Sequence, residues 1–247
     1  MSSITFNGST DTTNNVITES VAWLKKPAKR FIRSVIEGKD GETSTETGYD
    51  ALIIPAVVGL KSTASVDTVI AWLNGTGVLI CSEDPLKYRN AKILEQIDYD
   101  KLVRYRKAKV NFKCDDPYRY LITDPIVTKT SFPSTLTHGG NVPSNPLLKI
   151  TGTGSAILTI NGVGIYITFD TAYIYVDCET KEAFFATSLY TPPSSAPDYV
   201  SKNRNISLNQ ATTGERIWPT LIVGSNTISV FSGTITRVDI TERTRFI

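Results

Sequence analysis

The chain has 247 residues, with 26 Lys and Arg against 24 Asp and Glu, one His, three Cys and 40% apolar residues. That length holds one large β domain or two ordinary ones, and the apolar share suits a globular chain, not a disordered one. The charges divide as 17 basic to 16 acidic up to position 125 and 9 to 8 after it, so neither half has the basic excess of a nucleic-acid binder.

The first residues, Met1 to Gly8, have no basic region followed by an apolar stretch, so no secretory leader is expected. No run of about 18 apolar residues predicts a membrane-spanning helix. Short runs rich in Val, Ile, Thr and Tyr predict strands at Val35-Ile36, Leu52–Val58, Val78–Ile80 and Ala108–Cys114. One helix interrupts them. Ser65 is suited to its N-cap, Asp67 to its first turn, and Val66, Val69, Ile70 and Leu73 fall on one buried face. Asn74-Gly75 ends it, and a short helical turn is expected at Asp84–Tyr88.

From Thr123 to Pro146 the chain holds four prolines, a Gly-Gly pair and many Ser and Thr, the composition of an extended connector. Further strands are expected at Leu147–Ile150, Ala156–Ile160, Ile165–Phe169, Tyr173–Val176 and Thr227–Val230, with turns at Asn161-Gly162, Asp170-Thr171 and Gly224-Ser225-Asn226. The expected fold is therefore mainly β. Residues 1–128 form an α+β domain built on a β-sandwich with one packed helix, 129–145 connect, and 146–247 form an all-β sandwich.

Chemistry is sparse. The sole histidine, His138, lies in the connector and is read as a surface-loop residue, so no hydrolase triad is expected. Cys81, Cys114 and Cys178 are far apart, with no paired ligands for zinc, and are read as reduced core thiols. Asp115-Asp116 and Glu83-Asp84 adjoin prolines and fit turn starts. Gly152-Thr153-Gly154 runs into a strand, so the dinucleotide fingerprint fails. The basic clusters Lys25, Lys26, Lys29, Arg30, Arg33 and Lys101, Arg104, Arg106, Lys107, Lys109 read as solvated faces, although Tyr99 and Tyr105 beside the second could stack on single-stranded bases. No cofactor or metal is expected.

Several blocks in order resemble the distal tail proteins of long-tailed, non-contractile bacteriophages. Glu37-Gly38-Lys39-Asp40-Gly41 with Gly48-Tyr49 and strand 52–58 is similar to the family's hairpin and following strand. Ala71-Trp72-Leu73-Asn74-Gly75, then Val78–Cys81 and Glu83-Asp84-Pro85-Leu86-Lys87-Tyr88-Arg89-Asn90-Ala91, is similar to its Trp-Leu, strand, Asp-x-Pro, Tyr-x-x-Ala block. Phe112–Tyr120 resembles its closing strand, while Gly140–Pro146, Asp177-Cys178-Glu179 and Trp218–Ile228 follow the order of its second half. Thr187–Asn209 departs from it, being long and rich in Pro and Ser for a sandwich loop.

The resemblance implies a non-enzymatic virion part, assembled in the host cytoplasm. It implies a homo-hexameric ring, single or as two stacked rings, made by the N-terminal domain. That ring joins the tail tube protein to the tail-tip hub protein around the DNA exit channel, with DNA passing unbound. The C-terminal sandwich would be galectin-like or carbohydrate-module-like and face outward, where a receptor-binding protein attaches in some members. Within this frame the polar stretch with Lys39, Asp40, Glu42 and Glu46 is the candidate assembly arm or lumen hairpin. Two other functions stay open. One is a carbohydrate-binding module that recognises host surface glycans through the C-terminal sandwich, with Tyr190 and Tyr199 as contacts. The other is a polysaccharide-degrading enzyme resting on Asp170, Asp177 and Glu179.

Overall fold

A computed structural model describes every residue except 1, 39, 62–64, 96, 98–103, 190–191 and 210–214. The chain divides into two compact units, Met1–Ile122 with Ile247, and Thr123–Phe246. Both are mostly antiparallel strand, so the mainly-β expectation holds.

The first unit contains β1 (Ile4–Phe6), β2 (Ser9–Thr10), β3 (Val16–Val21), β4 (Lys29–Ser34), β5 (Thr43–Tyr49), β6 (Leu52–Leu60), α1 (Val66–Trp72), β7 (Gly75–Cys81), β8 (Lys87–Ile93), β9 (Lys107–Cys114) and β10 (Arg119–Leu121). Its main sheet runs β2-β1-β7-β8-β9-β6-β3, with β10 beside β8. Period-two patterning does the sorting: Leu52, Ile54, Ala56 and Val58 of β6, and Val110, Phe112 and Cys114 of β9, point into one core. Ahead of them on β9, Lys107 and Lys109 point out, the solvated face read from sequence, and Lys107 pairs with Glu19.

The helix is where it was expected, with a different buried face. Val69, Trp72 and Leu73 are buried while Ile70 is exposed, because Trp72 takes the core position and donates its Nε1–H to the carbonyl of Phe6 at 3.1 Å. Ser65 occupies the N-cap but makes no side-chain capping bond. Gly75 follows with φ +81°, a conformation open to glycine, and starts β7.

The second unit contains β11 (Ile126–Lys129), β12 (Ser134–His138), β13 (Leu147–Ile160), β14 (Val163–Thr168), β15 (Tyr173–Asp177), β16 (Glu182–Phe185), a 3₁₀ turn (Pro193–Ser195), β17 (Val200–Ser201), β18 (Ile206–Leu208), β19 (Gly224–Thr241) and β20 (Arg245–Phe246). The sheet order is β11-β19-β13-β15-β16-β17, with β12 also on β19, β14 on β13 and β18 on β14. The stretch expected as a connector thus contributes two strands to the sheet. β11 and β12 both pair with β19, and the prolines sit before, between and after them, where no ladder bond is lost.

β13 is one strand where two were expected. Gly154 (φ +66°) and Gly233 (φ +79°) bend β13 and β19 together through register shifts. The first half of β13 then pairs with β15 and the second with β14. Leu148 and Ile150 from one half and Leu158 and Ile160 from the other share a single core, so one continuous sheet folds over on itself.

His138 corrects the loop reading. It ends β12 and is buried, with Nδ1 bonded to Glu242 Oε2 at 2.8 Å and Nε2 to the carbonyl of Val142 at 3.1 Å. It braces the start of loop 139–146 against the chain near residue 242.

Candidate functional site

The polar stretch singled out in the sequence belongs to a hairpin that stands apart from the first unit's main sheet. β4 and β5 form a separate two-stranded ribbon, and every residue of β4 is exposed. Strand β4 starts at Lys29, upstream of the strand expected at Val35-Ile36. The register pairs Ile32 with Thr45 and Ser34 with Thr43, so one face of the ribbon carries these uncharged side chains, with Arg30 at its start. The opposite face pairs Phe31 with Glu46 and Arg33 with Ser44 and bears the charges. A register shift at Arg30/Phe31 leaves Thr47 unpaired on β5, and its hydroxyl donates to the Arg30 carbonyl at 3.2 Å.

The four residues chosen from sequence divide. Glu46 is held by Lys29 at 2.7 Å and Glu42 by Arg33 at 3.5 Å, Asp40 is exposed at the tip, and Lys39 lies outside the described residues. The hydrogen bond to Glu46 is the main reason the Lys29 ammonium titrates above its ordinary value. Residues 29–47 hold four basic and four acidic side chains, so the arm is neutral as a whole. Its apolar residues were missed. Ile32 is 63% exposed and Val35 78%, with Phe31 and Ile36 also open to solvent. The signal available was the run Phe31-Ile32 and Val35-Ile36 inside a segment too polar elsewhere to pack on its own unit.

The carboxylates weighed for hydrolysis are held by cations. Asp177 is buried and takes both terminal nitrogens of Arg243, at 2.6 and 2.7 Å, as well as the N–H groups of Glu179 and Thr180. Burial pushes its carboxyl upward, but the Arg243 bonds and charge and the two N–H donors outweigh that and keep it below the ordinary value. Glu179 lies 3.3 Å from the same guanidinium, and Asp170 2.6 Å from Lys202 Nζ. Among the described residues no group of three His, Cys, Asp or Glu side chains is placed to hold a metal.

Of the two tyrosines expected as glycan or partner contacts, Tyr199 is among the described residues. Tyr190 lies outside the described residues. Tyr199 stacks on Phe184, which stacks on Tyr175, with ring centroids 5.6 and 5.2 Å apart, and its hydroxyl donates to Glu182 at 3.3 Å. The Pro/Ser-rich segment after Phe185 thereby covers a second small core of Tyr175, Phe184, Ala186 and Ala196. That covering is a structural use for a stretch the sequence left without one.

Among solved structures, the chain matches the Dit (gp 19.1) protein of SPP1 over 100% of both chains, with a TM-score of 0.69 and 14% identity. The chain has the Dit fold. SPP1 Dit is described as a paradigm of the hub adsorption apparatus in phages that infect Gram-positive bacteria. No family model matches this sequence, and no curated protein matches it.

Proposed function

We propose that this chain is a structural protein of a bacteriophage tail tip, where copies of it close into a ring that joins the tail tube to the adsorption apparatus around the DNA exit channel. The observation that carries this reading is the likeness of the fold, over the full length, to a phage hub protein. Six copies in one ring or two stacked rings is the stoichiometry that follows from the family resemblance. The virion is the site of function and the host cytoplasm the site of assembly. The neighbours are the tail tube protein, the tail-tip hub protein and a receptor-binding protein.

The β4–β5 ribbon supports an assembly role. An isolated two-stranded hairpin is marginal in water, and this one leaves Ile32, Val35 and Ile36 uncovered. In a ring, each subunit meets the next head-to-tail, so an arm on one copy can lie on a different patch of its neighbour. The face with Ile32, Thr43 and Thr45 is the one suited to burial, because its charge is Arg30 at one end, whereas covering the other would desolvate Lys29, Arg33, Glu42 and Glu46.

Light scattering and negative-stain imaging of the purified protein test this. The expected particle is a ring with six or twelve times the 27.1 kDa chain mass. Ile32→Asp should reduce it to monomer with no change in the monomer's melting temperature, since Ile32 belongs to neither core. Rings of unchanged mass and stability in Ile32→Asp would defeat the arm. A monomeric wild-type chain that stays monomeric when mixed with its tail tube partner would defeat the ring.

A further inference from the structure

The outward face of the second unit carries a cleft of about 310 Å³ where the second half of β13, β14 and β18 lie side by side. Register places Ile157 beside Tyr166 and Tyr166 beside Ser207, so these side chains leave the same face in a row across three strands. Ser155 and Thr168 make the next row, their hydroxyls 3.4 Å apart. Tyr166 is 44% exposed. A Cβ at Gly164 would come within 3.5 Å of its ring, so the ring leans along its own strand over the bare glycine.

The edge of the cleft is the turn 202–205, which is fixed at three points. Lys202, itself buried, holds Asp170 at 2.6 Å; Asn203 Oδ1 accepts the N–H of Ala183 at 2.6 Å; Asn205 Nδ2 donates to the Thr168 carbonyl at 3.0 Å. The Lys202 bond also keeps the Asp170 carboxyl below its ordinary value. At the centre of this clamped turn, Arg204 is exposed and makes no ion pair or hydrogen bond among the described residues. Among the described residues no carboxylate lines the cleft. A guanidinium carried on a clamped turn, with no acid to satisfy it, is open to an anion, which its planar fork can take through two N–H groups.

These features select a ligand class. A flat aromatic ring takes the C–H face of a sugar, and the hydroxyls of Ser155, Thr168 and Ser207 with the free Oδ1 of Asn205 suit its hydroxyl groups. One cation is too few for a nucleic-acid backbone, which is bound by several. A peptide anchor would need an apolar pocket, and Ile157 is only half-buried on an open face. We propose that the Tyr166–Arg204 cleft binds an acidic saccharide, a pyranose carrying one carboxylate or phosphate that docks on Arg204. This site goes beyond the assembly role and does not rest on it.

The test uses the full chain and calorimetric titration at low salt with three probes: hyaluronan tetrasaccharide, a glucosylated poly(glycerol phosphate) chain, and neutral maltotetraose. The expected result is binding to a charged probe and at least tenfold weaker binding of maltotetraose. Which charged probe binds distinguishes carboxylate from phosphate. Tyr166→Ala should weaken binding about tenfold, while Tyr166→Phe, which keeps the ring, should stay within about threefold. Arg204→Gln should weaken the charged probe about tenfold and remove its salt dependence, leaving maltotetraose unaffected. Both side chains are exposed, so melting temperatures should not move. Hydrogen exchange should slow at 164–168 and 203–208 when the charged probe is added. Failure of both charged probes to bind, equal binding of maltotetraose, or indifference to both Tyr166→Ala and Arg204→Gln would overturn the proposal.

Discussion

Replacing Asp177 by Asn isolates the charge of a buried ion pair and leaves its shape. The amide oxygen can still accept the N–H groups of Glu179 and Thr180, which lie 2.9 and 3.2 Å from the carboxylate, but the two bonds to Arg243 lose their anion. Breaking a fully buried pair costs about 3–5 kcal/mol. Arg243 is 26% exposed and keeps Glu179 at 3.3 Å, so the cost here should fall to about 2–3 kcal/mol. Urea unfolding at pH 7 should show a lower midpoint with an unchanged slope. The sign with pH is fixed by the direction of the shift. The folded pKa of Asp177 lies below its ordinary 3.8. The pair's contribution is therefore complete above that value and is lost as pH falls through the folded pKa. Wild type and variant should converge in acid. A loss under about 0.5 kcal/mol at pH 7, or a gap that persists undiminished at about pH 2, would refute the reasoning.

Three further outcomes follow from the cores. Gly152→Ala would place a Cβ 2.5 Å from the Thr234 carbonyl and 2.7 Å from the Phe169 ring, and should cost about 1–3 kcal/mol by thermal melting. Trp72→Phe removes the donor to the Phe6 carbonyl and part of the helix's buried face, for about 1–3 kcal/mol by urea unfolding. Burial pushes the Cys114 thiol up to about 11 and Cys178 up to about 12, so iodoacetamide at pH 8 should label neither in the native protein and both in urea. Native labelling within minutes would show that these positions open.

What could be read from the sequence was local. Alternation in Ala108–Cys114 and the helical spacing of Val66, Val69 and Leu73 depend on neighbours a few residues away, and both elements are present. Ile70 was assigned to the buried face because spacing cannot tell which of two apolar positions, Ile70 or Trp72, meets the sheet. His138 was misplaced because its partner, Glu242, is 104 residues distant, and nothing local marks a Thr-His-Gly-Gly segment as strand. Asp177 stayed open as a carboxylate for hydrolysis for the same reason, with Arg243 66 residues on. The hairpin's carboxylates drew attention by composition. Its open apolar residues and the cleft at Tyr166 needed the register, since Ile157, Tyr166 and Ser207 share a face only once β13, β14 and β18 are paired.

The eighteen-residue strand β19 sets an order on synthesis. It pairs with β11, β12 and β13, so β12 waits for residue 228, and β11 and β13 lack a complete partner until residue 241 has left the ribosome. In the first unit the strand order β2-β1-β7-β8-β9-β6-β3 lies between residues 4 and 114 and faces no such wait. Its chain can settle while the second unit is still a set of open edges, the state in which strands from different molecules pair with each other. A nonsense mutation after Thr220 would therefore be expected to leave a folded first half tethered to an aggregating second half.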